Sequence, residues 1–189
     1  MLSKRNYKYK RQNPKRKPKH SVEPIVDYRS IRDGIKKIAR HINKPSLPDN
    51  HDTVMICLLN GAFMFFADLC KHVNIVTQVD FMKVKSYNGQ EQGEVEIILD
   101  TQLDLKDKRV FVIDDFYDSG TTMNKVLDIL SERGPKTLVG ATLLKRKNTG
   151  ISKYRIVHGL YIKSDVWVYG YGMDKENHFA RNLKEIYAI

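Results

Sequence analysis

Fold and chemistry are both indicated by the stretch Arg109-Val-Phe-Val-Ile-Asp-Asp-Phe-Tyr-Asp-Ser-Gly-Thr-Thr122. An apolar strand ends there at the acidic pair Asp114-Asp115, Asp118 follows, and residues 119–122 open a helix. Hydroxyls, a turn-forming glycine and the N–H groups of a helix start are suited to an anion. Three carboxylates would repel a phosphate unless they engage hydroxyls or a divalent cation. The stretch therefore predicts a sugar-phosphate site with Mg²⁺ nearby.

Other motifs that bind or transfer phosphate fit this sequence less well. A Walker A loop needs Gly-x4-Gly-Lys-Ser/Thr, which the chain lacks, and Gly170 and Gly172 lack the third glycine of a dinucleotide-binding loop. A phosphate-receiver domain places its acidic pair near its start, and phosphatases with an aspartate nucleophile need Asp-x-Asp. An acidic turn before an ordinary capped helix is the plain structural alternative.

Around this stretch, apolar runs alternate with segments of helical spacing. Helices are predicted over Tyr28–Ile42, where Ser30 and Asp33 offer a capping pair, and over residues 61–73 and 122–133. An α/β fold is expected, with a mostly parallel, twisted sheet flanked by helices and functional residues just after the strands. The predicted strands are residues 53–59, 75–87, 94–99, 110–113, 137–144 and 166–169.

The positive charge of the chain is concentrated at its N-terminus. The 189 residues carry a formal net charge of +11, with 33 Lys and Arg against 22 Asp and Glu. Residues 1–20 hold nine of the basic residues and no acid, which leaves 24 basic against 22 acidic residues in the rest. We expect residues 1–22 to be a disordered basic tail and residues 23–189 to be one folded domain. Nucleic acid would bind only weakly, through the tail.

Several features bear on location. The sequence has no apolar stretch of the roughly 18 residues that a membrane span needs, and no secretory signal. Cys57 and Cys70 lie in or beside apolar runs and are expected to be buried free thiols in a reducing compartment. A cytoplasmic protein is therefore expected, with no membrane partner. Residues 14–19 resemble a nuclear localisation signal, which makes the nucleus the alternative.

The stretch 109–122 resembles the phosphoribosyl pyrophosphate motif of the type I phosphoribosyltransferases. Further blocks occur in the family's order and narrow the resemblance to the 6-oxopurine branch, the hypoxanthine-guanine phosphoribosyltransferases. The resemblance covers roughly residues 25–187 and implies the type I phosphoribosyltransferase fold, with a small hood region beside the sheet. The further blocks are residues 58–69, 79–87, 143–146 and 167–174.

The resemblance implies roles for the acidic residues. Asp114 and Asp115 would contact the ribose hydroxyls, and Asp118 would act as general base or acid near purine N7. Asp174 would bind the Mg²⁺ carried by pyrophosphate, with Asp114 and Asp115 as further metal candidates. The 5′-phosphate would be held by the turn residues Ser119, Gly120, Thr121 and Thr122.

The same resemblance implies contacts to the purine base. Lys145 would donate to the 6-oxo group, Trp167 would stack on the base, and the backbone of Val168 would lie at the purine edge. Ser86 and Tyr87 match the mobile loop that closes over the reacting centre. Taken alone, each of these residues would be assigned to a turn, a core or a surface.

Two positions depart from the family pattern, and both concern pyrophosphate. Where the family often has Lys or Arg before a glycine, this chain has Asn60 before Gly61. In the family a strained cis peptide at this place helps to bind pyrophosphate. The cis peptide is expected here too, because that binding depends on the backbone. The family's Arg after the metal-binding Asp is displaced by one residue, so that Ala180 stands at the expected place and Arg181 follows it.

The sequence thus predicts a Mg²⁺-dependent purine salvage enzyme that transfers phosphoribose from phosphoribosyl pyrophosphate to N9 of hypoxanthine and guanine. The products would be IMP or GMP and pyrophosphate, and the family implies a homodimer or homotetramer. The alternatives are a xanthine-preferring relative, an RNA-binding regulatory homologue and a non-catalytic assembly subunit. The basic tail is the feature that favours the RNA-binding alternative. The sequence leaves the preferred base, the oligomeric state and the role of the tail open.

Overall fold

The computed structural model describes residues 22–44, 52–86, 95–163 and 165–189. The predicted tail lies almost wholly outside these ranges. Tyr87, which belongs to the predicted mobile loop, also lies outside them.

A six-stranded sheet forms the centre of the described structure, with the strand order β3-β2-β1-β4-β5-β6. All neighbouring strands are parallel except β2 and β3, which are antiparallel. The prediction of a mostly parallel sheet is therefore confirmed. The strands are β1 (Thr53–Leu59), β2 (Gln78–Ser86), β3 (Val95–Leu99), β4 (Arg109–Tyr117), β5 (Thr137–Arg146) and β6 (Arg155–Ile162).

Three helices flank the sheet: α1 (Tyr28–Ile42), α2 (Phe63–Cys70) and α3 (Thr121–Ser131). The predicted bounds of α1 are confirmed, but its predicted capping pair is wrong. Asp27 is the N-cap, and its carboxylate accepts from the Ser30 N–H at 2.7 Å, because the cap must lie outside the first turn whose N–H it satisfies.

Alternate residues of the central strands face two separate apolar clusters. Met55 of β1 and Phe111 of β4 pack with the buried faces of α1 and α2. Ile56 and Val112, the next residues along, pack instead with α3. Each central strand is covered on both sides, which explains why these runs are continuously apolar and confirms helices on both faces.

Two predicted elements differ from the structure, and one strand was missed. β4 continues to Tyr117, so Asp114 and Asp115 lie within its last residues and not after its end. The helix predicted over residues 61–73 is the shorter α2, which begins only at Phe63. β6 was not predicted, because His158 and Gly159 interrupt its apolar run.

A small hood follows the sheet, and we define it as residues 165–189. In it, β7 (Val168–Tyr169) pairs antiparallel with β8 (Tyr187–Ala188), and Ile186 bridges back to Val26. The buried Tyr171 hydroxyl donates to the Asp68 carboxylate of α2 at 2.6 Å, which ties the hood to the sheet domain.

Both cysteines are free, as predicted; Cys57 is buried, whereas Cys70 is only partly buried. Burial raises the pKa of the Cys57 thiol well above its usual range. In the described ranges, no helix combines the length and apolarity that crossing a bilayer requires.

The packing of α1 predicts unequal effects for two isoleucine truncations. Ile38 of α1 is 0% exposed, whereas Ile98 of β3 is 51% exposed. Ile38→Ala should lower the free energy of unfolding by about 2–5 kcal/mol, because it removes buried methyl groups and leaves a cavity. The matched control Ile98→Ala should change it by less than about 0.5 kcal/mol. Urea unfolding measures both, and equal losses would contradict the assigned core.

Candidate active site

Two adjoining cavities open where β4 ends. The turn cavity has a volume of about 220 Å³ and is lined by residues 114–123. The hood cavity has a volume of about 170 Å³. Both are lined by Asp115, Phe116 and Asp118, so one ligand could occupy the two together. The other residues of the hood cavity are Arg146, Trp167, Val168, Met173 and Asp174.

The turn before α3 has the geometry of an anion site. Gly120 is left-handed, with φ of 86°, and a Cβ there would overlap the Tyr117 ring, so only glycine fits. The Ser119 and Thr121 hydroxyl oxygens lie 3.0 Å apart. The N-cap Gly120 has no capping side chain, and the Thr121 N–H donates to the Ser119 hydroxyl at 3.3 Å. The start of the helix and the neighbouring hydroxyls together suit an anion.

The acidic pair is partly buried at the end of β4. The Asp115 N–H donates to Asp114 Oδ1 at 2.9 Å, and the Phe116 N–H donates to Asp115 Oδ1 at 2.8 Å. Burial, and then the charge of Asp115, raise the pKa of Asp114 well above its usual range. Burial also raises the pKa of Asp115, although hydrogen bonds and the nearby Arg181 cation oppose the rise. A cation or a pair of donated hydroxyl hydrogens would favour the ionised pair.

The end of β1 approaches the acidic pair closely. The peptide bond between Leu59 and Asn60 is cis, as expected from the resemblance. A Cβ on Gly61 would collide with the Asp115 carboxylate, so this position requires a glycine. Asn60 and Gly61 therefore lie beside the acidic pair, where their backbone could meet a ligand held there.

Arg181 reaches Asp174 despite its displacement in sequence. Its Nη2 lies 3.0 Å from Asp174 Oδ1, and its Nη1 donates to the Gly172 carbonyl at 2.7 Å. Between the two residues, Asn177, His178 and Ala180 have positive φ values of 47°, 68° and 67°. These left-handed residues tighten the loop that brings Arg181 back to Asp174.

The predicted purine contacts are only partly brought together. Trp167 lines the hood cavity with Val168 and is 62% exposed, so a stacking face is open to solvent. Lys145 lines neither cavity, because its Nζ lies 5.3 Å from the centroid of the Tyr117 ring. Ser86 is the last residue of β2, and Tyr87 lies outside the described residues.

The carboxylates fit a metal that arrives with its substrate better than a metal held by protein alone. In the ranges that the structure describes, no three His, Cys, Asp or Glu side chains cluster as a metal site. Asp174 and the acidic pair offer hard oxygen ligands near both cavities, which suits Mg²⁺ bound through one or two carboxylates and substrate phosphates.

Sequence reasoning missed three side chains that line the hood cavity, namely Phe116, Arg146 and Met173. Arg146 lies in the run Lys145-Arg-Lys147, whose composition indicates a solvated turn. The structure extends β5 to Arg146, two residues beyond the predicted strand, and the alternation of a strand turns neighbouring side chains there to opposite faces. The shorter predicted strand gave no such signal.

Comparisons with known proteins agree with this geometry. A family model described as "Phosphoribosyl transferase domain" matches residues 21–176. Hypoxanthine phosphoribosyltransferase of Escherichia coli is 35% identical over 158 residues, which are 82% of this chain and 89% of that protein.

Solved structures of similar proteins share the fold. A hypoxanthine-guanine phosphoribosyltransferase of Bacillus anthracis gives a TM-score of 0.77 at 28% identity, covering 88% of this chain and 98% of that one. A point mutant of hypoxanthine phosphoribosyltransferase of Trypanosoma cruzi, solved with the product IMP, gives a TM-score of 0.77 at 27% identity, covering 92% of this chain and 94% of that one.

The match to the family model extends over most of the chain, and it includes both the acidic strand end and the turn before α3. The resemblance of the quoted blocks, the fold and the curated relatives therefore agree. The chain belongs to the phosphoribosyl transferase family, within its hypoxanthine-guanine phosphoribosyltransferase branch.

Proposed function

We propose that this protein transfers the phosphoribosyl group of phosphoribosyl pyrophosphate to N9 of hypoxanthine or guanine. The main structural support for this proposal is the pair of adjoining cavities, which share Asp115, Phe116 and Asp118. One cavity offers the hydroxyls and helix start that a 5′-phosphate requires, and the other has an exposed tryptophan for a base. A nucleotide whose ribose lies at the shared wall fits both.

The ribose and its phosphate are assigned to the turn cavity. Asp114 and Asp115 accept hydrogen bonds from the ribose hydroxyls, which relieves the repulsion between the two carboxylates. The first-turn N–H groups of α3 bind the 5′-phosphate, and the hydroxyls add donors. The hydroxyl groups belong to Ser119, Thr121 and Thr122, with Gly120 between them.

The base and its proton are assigned to the hood cavity. N9 of the purine attacks C1 of the ribose while the bond from C1 to pyrophosphate breaks. The proton on N7 passes to Asp118, which lines both cavities. Trp167 stacks on the purine ring, and the backbone of Val168 binds its edge.

Discrimination between 6-oxo and 6-amino purines is assigned to Lys145. An ammonium group donates to a 6-oxo oxygen but faces another donor in a 6-amino purine. This role requires Lys145 Nζ to move away from the Tyr117 ring.

Pyrophosphate is assigned to the region where Gly61, Asp174 and Arg181 approach the acidic pair. Asp174 would hold a Mg²⁺ ion that arrives with the substrate, and the ion would neutralise charge on the leaving pyrophosphate. The backbone at Asn60 and Gly61 and the Arg181 guanidinium hold the same group. Ser86 and Tyr87 exclude water, because water would compete with the purine for the ribose.

A homodimer or homotetramer and a cytoplasmic location remain part of this proposal. The relatives' names favour neither the xanthine-preferring nor the RNA-binding alternative, and nothing in the comparisons supports a nuclear address. Residues 1–21, which carry the basic tail, lie outside the described ranges.

A panel of purine bases tests the function directly. The purified full chain, given phosphoribosyl pyrophosphate and Mg²⁺, should convert hypoxanthine and guanine into IMP and GMP, and adenine should give no detectable product. Chelation of Mg²⁺ should abolish turnover, because the charge on the leaving pyrophosphate is then not neutralised. Spectrophotometry measures each rate. A chain that converts none of hypoxanthine, guanine and xanthine would refute the proposed function.

The assignment of Asp118 predicts a change in turnover without a matching change in affinity. Asp118→Asn should lower kcat for hypoxanthine by about 10²–10³-fold, because the amide cannot accept the N7 proton. The Kd of phosphoribosyl pyrophosphate should change by less than about 3-fold. Asp104→Asn is the matched control, since this exposed carboxylate lines neither cavity. Equal losses of kcat and affinity would argue against the proton-accepting role.

The raised pKa of Asp114 predicts opposite effects of one substitution on stability and binding. Ionisation of this carboxyl is disfavoured in the folded protein, so at pH 7 the pair destabilises the fold, and the penalty is lost as the pH falls. Asp114→Asn still accepts from the Asp115 N–H and should raise the Tm at pH 7 by about 2–4 °C. Binding of phosphoribosyl pyrophosphate with Mg²⁺ should weaken by at least about 10-fold.

Calorimetry at several pH values checks the stability predicted for Asp114→Asn. The gain in Tm over the unmodified chain should shrink as the pH is lowered, because protonation of the pair then removes the same penalty. The exposed Asp104→Asn should show no such gain. A lower Tm for Asp114→Asn at pH 7 would contradict the assigned electrostatics.

A further inference from the structure

Arg146 is a largely buried cation in the basic run Lys145-Arg-Lys147. It is the last residue of β5, and its side chain is 15% exposed, whereas the neighbouring Lys147 is exposed. The side chain lines the hood cavity, and its guanidinium carbon lies 4.9 Å from the centroid of the Phe116 ring. Burial of an arginine beside a cavity calls for partners on more than one edge of its guanidinium group.

The guanidinium group has partners on two sides of the cavity. Its Nε donates to Asp118 Oδ1 in a close ion pair. Its Nη1 donates to the carbonyls of Lys163 and Val166 at 3.2 and 3.3 Å, and its Nη2 donates to Val166 at 3.4 Å. One side chain therefore joins the end of β4 to the segment that leads directly into Trp167.

A second residue supports the same connection. The Thr149 hydroxyl lies 2.7 Å from the Asp118 carbonyl and 2.8 Å from the Arg146 carbonyl. Residues at the end of β5 thus hold both the backbone and the carboxylate of Asp118. Without these partners the Asp118 side chain, which is 49% exposed, would be free to adopt several rotamers.

We propose that Arg146 is a positioning residue that fixes Asp118 and the base-stacking segment 166–168 to each other. The inference rests on the proposed function, in which Asp118 accepts the N7 proton. The ion pair uses Oδ1 of Asp118, so Oδ2 is the oxygen that takes the proton. The same guanidinium also binds the carbonyl before Trp167. The distance and angle between the stacked base and the proton acceptor are therefore fixed.

Only arginine fits this role. The planar guanidinium can bind a carboxylate with one edge and carbonyl groups with the other, whereas a lysine ammonium is a single point of charge. Lysine at position 146 could meet Asp118 or the hood carbonyls but could not bridge the two. Loss of the bridge should therefore affect both the binding of the base and the chemical step.

The experiment compares Arg146→Gln and Arg146→Lys in the full chain. In Arg146→Gln, kcat should fall and KM for hypoxanthine should rise, each by about 10-fold or more, because the acceptor and the stacking face are no longer aligned. KM for phosphoribosyl pyrophosphate should stay within about 3-fold. Arg146→Lys should recover kcat to within about 3-fold while KM for hypoxanthine stays raised.

Fluorescence gives a readout that does not depend on turnover. Trp167 is the only tryptophan in the sequence, so its steady-state anisotropy reports on the segment that Arg146 holds. The anisotropy should fall in both variants. If the unmodified chain makes no nucleotide, the proposed function fails, and the anisotropy still tests whether Arg146 orders this segment.

A double-mutant cycle tests the link to Asp118. In the Asp118→Asn background, Arg146→Gln should lower kcat by less than about 2-fold, because the partner that it aligns has been removed. Lys147→Gln is the matched control, since it removes an adjacent exposed charge and should leave all these quantities within about 2-fold. Effects on kcat that multiply independently, unchanged Trp167 anisotropy, or full recovery by lysine would each overturn the proposal.

Discussion

The organisation of this site depends on two carboxylates that the end of β4 holds side by side and partly buried. Asp114 and Asp115 repel each other, and burial raises the pKa of both. The neighbouring elements are arranged around this unfavourable pair: Gly61 lies against it, and Arg181 lowers the cost of its ionisation. A ligand with hydroxyl groups or a cation completes what the protein alone leaves unbalanced. This imbalance is consistent with the ribose that the proposed function assigns to the pair.

Much of this could be predicted from sequence because local patterns and fold agree. The buried central strands are continuously apolar, and the bounds of α1 follow from its periodicity. Predictions were wrong where a polar residue belongs to a strand: Asp114 was placed after β4, and His158 concealed β6. Arg146 was missed because its burial depends on carbonyl groups seventeen or more residues away, which no local pattern encodes.

The hood, which lines one of the two cavities, is joined to the sheet domain by both polar and apolar contacts. Tyr171 anchors it to α2, and Arg181 anchors its far loop beside Asp174. Trp167 remains largely exposed, so its ring is available to a ligand. Val168, Met173 and Ile186 are also buried in the apolar core that α1 and α2 share, so packing as well as polar contacts fixes the position of the hood.

In the proposed reaction, the electrostatics of the site would favour the transition state over the bound substrate. The ribose becomes cation-like as the bond from C1 to pyrophosphate breaks, and the proposed binding mode puts the carboxylates at the shared wall of the two cavities beside that charge. A partly buried pair of carboxylates is stabilised more by a nearby positive charge than an exposed pair would be, because water screens the interaction less at a buried site. The stability lost by burying two acids is thus recovered where the reaction needs it, as a lower barrier.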